Sequence, residues 1–250
     1  MKSSNPILRN FASQQVYSLE EKTTTISGVI NKLLFFSVIS ILGAAISIYH
    51  FNLGHYDLLN MIMTYSFFPF LILGIIIGLK PQTTPYLGTL FSFIQGAWVG
   101  AFSCFMEQEY NGIVSQAVML TLLVVFVMAI LFKTGLIKVT EKFRSVLAVA
   151  TLAIGLFYLI SFIAMFFFKA SVAYFDMGNA AYSNPLVIGL NVVIVIVASL
   201  DLIVCFDSIE NSVQNRLPAI YEWYGAFGLM VEVLWLYVEI LRLLSRFRSR

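Results

Sequence analysis

The chain has 250 residues, 60% of them hydrophobic and only 11% charged, with a mean hydropathy of +0.89 and a formal net charge of +2. A soluble domain carries about a quarter of its residues as charges, so this composition excludes one and defines an integral membrane protein. Helical spans of about 20 residues fill the length and leave no room for a separate soluble domain. The few basic clusters form no stripe, which sets nucleic acid aside as a partner.

The first 30 residues are polar and rich in Ser and Thr, and the first apolar run begins near Lys32. That is too far in for a cleaved signal peptide. Residues 1–30 are therefore read as a cytoplasmic tail and 31–250 as one membrane domain. Apolar runs bounded by Pro, Gly or charge follow at 31–50, 58–79, 84–105, 113–132, 146–168, 186–207 and 221–244. Short separators such as "KPQTTP" and "MEQEYNG" join them. Backbone groups in hydrocarbon must be satisfied within each segment, which predicts an all-α bundle of seven transmembrane helices. Tyr49, Tyr86, Tyr174, Tyr182 and Trp223 stand at run ends, where aromatic belts form. Cys104 and Cys205 lie inside apolar runs and read as small hydrophobes, not as a disulfide framework.

Lys and Arg mark the cytoplasmic side. With the N-terminus inside, that side collects Lys2, Arg9, Lys22, Lys32, Lys80, Lys133, Lys138, Lys142, Arg144 and Arg216, against Lys169 outside. Arg242, Arg246, Arg248 and Arg250 break the pattern, because a seventh full crossing puts them outside. Either the last segment is a re-entrant or unusual central helix, or the rule is overridden there.

Two stretches carry acid where the chain otherwise avoids charge: "SLDLIVCFDSIENSV" at 199–213 and "GLMVEVLWLYVEILRLL" at 228–244. A carboxylate at mid-membrane costs roughly 2.5–3.5 kcal/mol on insertion scales, so it faces the bundle interior or a wet cavity. Glu232 sits at the centre of its run, with about 16 Å of helix on either side. Asp207 lies near the end of the sixth run, and Asp201 about 9 Å deeper. The two are about 120° apart around the helix, so they cannot both face one partner. An antiparallel hairpin turning near Arg216 to Pro218 brings Glu232 level with Asp201; a shifted register favours Asp207. Glu239 precedes Arg242 by three residues, a good helical ion pair, and reads as a solvated charge at a helix end. Glu107, Glu109, Glu210 and Glu222 read as wet surface, and Gln95 and Asn191 as polar glue between helices. No HExxH, GxSxG or phosphate loop is present, so neither an enzyme nor a cofactor is expected. His50 and His55 flank one short loop and read as at most a weak metal contact.

The stretches "FASQQVYSLEEKTTTISGVINKLLFF", "PYLGTLFSFIQGAWVGAFSCFMEQEYNGIVSQAVMLT", "GLIKVTEKFR" and "CFDSIENSV", with "EWYGAFGLMVEVLWLYVEILRLL", resemble the Bax inhibitor family in its bacterial YccA-like branch. The resemblance covers nearly the whole chain. It implies seven membrane helices with the last one central, wrapped by the other six, in the inner membrane of a bacterium. It also implies a pH-sensitive calcium leak, sensed by an acidic pair on the last two helices. Matched by motif, that pair is Asp207 and Glu232, with Glu where other members have Asp. The family's basic latch for the first acid matches Lys80, a lysine for an arginine, which cannot form the same bidentate fork. Gln95 stands where members often have Glu.

Two carboxylates together in low dielectric cannot both ionise cheaply, so they hold one proton between them and lose it as pH rises. Carboxylate oxygens also suit calcium. The expected function is thus a pH-gated calcium or cation leak channel. The alternative is a non-conducting regulator that binds a membrane protease or other membrane partner; a proton-coupled transporter is a third reading.

Overall fold

The computed structural model describes residues 22–175 and 182–249. Most of the expected N-terminal tail, with Lys2 and Arg9, lies outside the described residues, as does Arg250. Each of the seven apolar runs is a helix: α1 Ile26–Asn52, α2 Tyr56–Leu79, α3 Pro81–Glu109, α4 Ile113–Lys133, α5 Glu141–Phe168, α6 Pro185–Gln214 and α7 Ile220–Arg248. The first six are long and apolar enough to cross a membrane. No β-strand occurs among the described residues, only an isolated bridge between Thr23 and Pro218.

Polar residues just outside the runs set the helix starts. Thr25 caps α1 by accepting from the Gly28 N–H at 3.0 Å, so the helix begins at Ile26, earlier than hydropathy alone indicates. Thr140 caps α5 through the Phe143 N–H at 3.2 Å. Asn184 caps α6 through the Leu186 N–H at 3.0 Å, and Pro185 takes the first helical position, where its missing N–H costs nothing. Helix α2 is two stacked pieces meeting at Ser66, whose hydroxyl donates back to the Ile62 carbonyl. Helix α3 opens with a tight turn at Pro81–Thr83 and a wide one at Thr84–Gly88 before it becomes α-helical at Thr89.

Helix α7 is the most deeply packed element, lying against α1, α3, α4 and α6. It joins two apolar clusters. Ala226, Phe227 and Met230 meet Val29, Phe36, Ile77 and Phe91 at one end, while Leu236, Ile240 and Leu241 meet Met106, Ile113, Ala117 and Leu202 at the other. Helices α1 and α3 approach closely along a stripe of small residues. A Cβ on Gly96 would stand 2.0 Å from the Ser40 carbonyl oxygen, and one on Gly43 2.3 Å from that of Phe93. Ser47 donates across this seam to the Ala97 carbonyl at 2.7 Å. Dispersion and side-chain hydrogen bonds hold such a seam where water gives no hydrophobic drive.

The outer surface is apolar: Leu122, Phe126, Val146 and Ile160 are all exposed. Polar side chains turn inward, as a hydrocarbon solvent requires. Helix α5 packs along α6 and meets α2 through Phe162, stacked 3.8 Å from Phe67. Tyr49 and Tyr86 are exposed, as belt residues should be, but Tyr174 and Tyr182 are buried at 2% and 3% exposure. Their hydroxyls have partners inside the bundle, which is why they leave the interface.

Candidate functional site

Four acids of the last two helices, Asp201 and Asp207 on α6 and Glu232 and Glu239 on α7, are half-buried or buried. Glu232, midway along α7, is half-buried, and its Oε1 is shielded without a hydrogen-bond partner. The carboxylate acting on it electrostatically is Asp201 on α6, and Cys205 lies within the field of both. Asp201 in turn accepts a hydrogen bond from the Thr151 hydroxyl of α5. Helices α6 and α7 pack on each other about the Asn215–Ala219 turn, which brings Glu232 within electrostatic range of Asp201.

Asp207 is held elsewhere. Its carboxylate pairs with the Arg144 guanidinium at the start of α5 and accepts from Asn211 Nδ2 at 2.9 Å, while Arg144 Nη1 reaches the Ser208 hydroxyl at 3.4 Å. Arg144 thus occupies the place expected of Lys80. Lys80 is exposed at the α2–α3 turn and makes no ion pair among the described residues. Because the guanidinium spreads its donors over a planar fork, it engages Asp207 and Ser208 together, which an ammonium on the same stem does less well. The sequence places Arg144 in a basic loop, where it reads only as a topology charge.

Glu239 is not a solvated end charge: it is fully buried. Arg242 donates to it at 2.7 Å, the expected helical pair, and three groups from other segments complete its shell. These are the Tyr158 hydroxyl of α5 at 2.8 Å, the Asn191 amide of α6 at 3.0 Å and the Tyr174 hydroxyl. Four donors on one carboxylate compensate for its removal from water. Asn191 also reaches the Glu239 carbonyl at 3.3 Å, so it does join α6 to α7. Gln95 does not act the same way, for its Oε1 is buried without a partner among the described residues.

Two of the puzzling arginines of α7, Arg242 and Arg246, belong to this cluster. Arg242 and Arg246 are 8% and 0% exposed. Arg246 donates to the Tyr174 carbonyl at 2.7 Å, and its guanidinium lies 4.2 Å from the Tyr174 ring and 4.8 Å from the Tyr182 ring. Arg242 stacks on Phe175 at 4.9 Å. Arg248 reaches the Asn111 carbonyl and Gln116 at 2.7 and 2.9 Å. Nothing in local spacing links Tyr158, Tyr174 and Tyr182 to α7; an arginine cluster facing tyrosines across a polar loop is the only signal available.

Two further acids read as wet surface are also engaged. Glu222, 6% exposed, accepts from Lys32 at 2.6 Å and from the Thr25 N–H and hydroxyl at 2.9 and 2.8 Å, tying the start of α7 to that of α1. Glu107 accepts from the Gly112 and Val114 N–H groups at 2.6 and 3.0 Å and so covers the open end of α4. Glu109 and Glu210 are exposed, as expected. No group of three or more His, Cys, Asp or Glu side chains among the described residues could hold a metal ion.

An apolar exterior around helices whose acids and arginines meet inside defines a multi-pass helical membrane protein. A family model described as Bax inhibitor 1 like matches residues 5–249, nearly the whole chain, and the protein belongs to that family. Searches among curated proteins and among solved structures return no match.

Proposed function

We propose that the protein is a pH-sensitive cation leak channel, with calcium as the favoured ion, in which all seven helices cross the membrane around a central α7. In this reading it sits in the inner membrane of a bacterium, in the YccA-like branch, with its N-terminus in the cytoplasm. The observation that carries the proposal is Glu232: a carboxylate halfway along the central helix, one oxygen shielded and unpartnered, beside a second carboxylate at Asp201. A carboxylate at mid-membrane with a shielded, unpartnered oxygen is expensive and is retained where it handles a proton or an ion.

At low pH the pair holds a proton and presents no net double charge to a cation. When the proton leaves, two acids face each other, and a hard cation with its preference for oxygen ligands relieves their repulsion. Helix α5 follows the same groups. It is tied to α6 at two polar points, Thr151 to Asp201 and Arg144 to Asp207, so the charge state of α6 governs how firmly α5 is held. In this reading Arg144 is the latch and Lys80 a cytoplasmic anchor.

Calcium flux into liposomes carrying the purified protein, measured over a pH series, tests the proposal. Wild type should conduct with a clear pH dependence, and Glu232→Gln and Asp201→Asn should each flatten it. Flux absent at every pH sinks the channel; co-purification with a membrane protease or other membrane partner would then favour the non-conducting regulator. A saturable substrate dependence would point to a transporter.

A further inference from the structure

The chain has only two histidines, and the fold places them face to face. His50 lies in the last turn of α1 and His55 directly precedes α2; their Nδ1 atoms are 3.0 Å apart and their ring planes are tilted by 33°. The turn between them is closed by its own backbone. His55 N–H donates to the His50 carbonyl at 3.0 Å, and Gly54 N–H to that of Phe51 at 3.0 Å. Gly54 has φ +76°, a conformation that glycine adopts without strain. The corner is braced on α3, with the Phe51 ring 5.7 Å from Phe105 and 5.4 Å from Tyr56. His55 is exposed and His50 half-buried, so solvent reaches both rings.

We propose that His50 and His55 form a two-nitrogen chelate for a divalent transition metal at the α1–α2 corner. A ring nitrogen binds such an ion at about 2.0–2.1 Å. A separation of 3.0 Å then subtends an angle of about 90° at the metal, the relation of neighbouring ligands in a square-planar or octahedral shell. A tetrahedral ion asks for a wider gap. The spacing fits a shell of near-90° angles, as copper(II) or nickel(II) offers, and intrinsic affinity also favours copper over zinc. No third His, Cys, Asp or Glu joins the pair among the described residues, so water completes the shell and the ion exchanges readily. Without metal, one ring donates to the other and the corner keeps its shape. With metal bound, the ion staples the end of α1 to the start of α2.

The test uses full-length, tag-free protein in detergent, titrated by calorimetry with copper(II) chloride and separately with nickel(II) chloride, which does not oxidise thiols. Wild type should bind one equivalent at micromolar concentration, with nitrogen hyperfine splitting in the copper spectrum and a raised melting temperature. His50→Ala and His55→Ala should each weaken binding by at least the roughly 10–100-fold that losing a mere outer-shell partner costs. Their metal-free melting temperatures should match that of wild type, since both rings lie at an open corner. Unchanged affinity in both variants, or no saturable binding by wild type, overturns the chelate. Neither result bears on calcium flux, which arises at Glu232 and Asp201.

Discussion

Glu232 and Glu239 stand on one helix, seven positions apart, yet their surroundings predict opposite responses to the same substitution. Glu239 is held by four donors, and Arg242 depends on it for charge balance. Glu239→Gln should destabilise the protein by about 3–5 kcal/mol, because it leaves a buried guanidinium unpaired. Denaturation in detergent measures this, and Glu239→Gln with Arg242→Met should recover part of the loss. Glu232→Gln removes a carboxylate whose Oε1 has no partner, so stability should hold or rise while the pH response of flux is lost. Equal destabilisation by both would mean that Glu232 is structural. The Asp207–Arg144 contact is tested by a double-mutant cycle on the flux midpoint. Asp207→Asn and Arg144→Met should shift it alike, and the pair together no further, as expected when both break one interaction. Lys80→Met should leave the midpoint unchanged.

At the scale of helices, the α1–α3 seam and α5 mark two extremes of packing. Gly96→Val puts a branched side chain against the Ser40 backbone, where a Cβ alone already stands at 2.0 Å. Backbone in a helix cannot swing aside, so the cost should reach the upper part of the about 1–3 kcal/mol range for overpacking. Gly74→Ala on α2 meets open space and should be neutral or stabilising by up to about 1 kcal/mol. Melting temperatures of the two variants check the contrast. The helices themselves were readable in sequence because hydrocarbon demands long apolar runs, and every run proved to be one. Glu239 and Glu222 were misread because sequence shows an acid's neighbours along the chain, while their partners, Tyr158, Tyr174, Asn191, Thr25 and Lys32, come from other segments. Asp201 was readable as the neighbour of Glu232 from hairpin geometry, whereas the family motif pointed to Asp207. Arg144 was hidden by its loop, since a basic residue there satisfies the orientation rule whatever else it does.

Across the whole molecule, contacts at the two ends sort the loops into opposite sets. The Thr23–Pro218 bridge joins the entry of α1 to the α6–α7 turn at one end; Arg248 on Asn111 joins the exit of α7 to the α3–α4 turn at the other. Single cysteines report the sides. With Cys104 and Cys205 replaced by serine, Asn111→Cys should react with a membrane-impermeant thiol reagent in intact cells, and Lys138→Cys should react only after lysis. The reverse pattern would invert the orientation. The arginines of α7 also bear on how the protein is made. Tyr158, Tyr174 and Asn191 all precede α7 in the chain, so the residues that receive Glu239, Arg242 and Arg246 are synthesised before the helix that needs them. Helix α7 therefore emerges into a membrane where its charged tip already has somewhere to go. Insertion of α7 is then assembly onto a finished template, and a chain whose α5–α6 connection is altered should leave the tip of α7 on the ribosome's side.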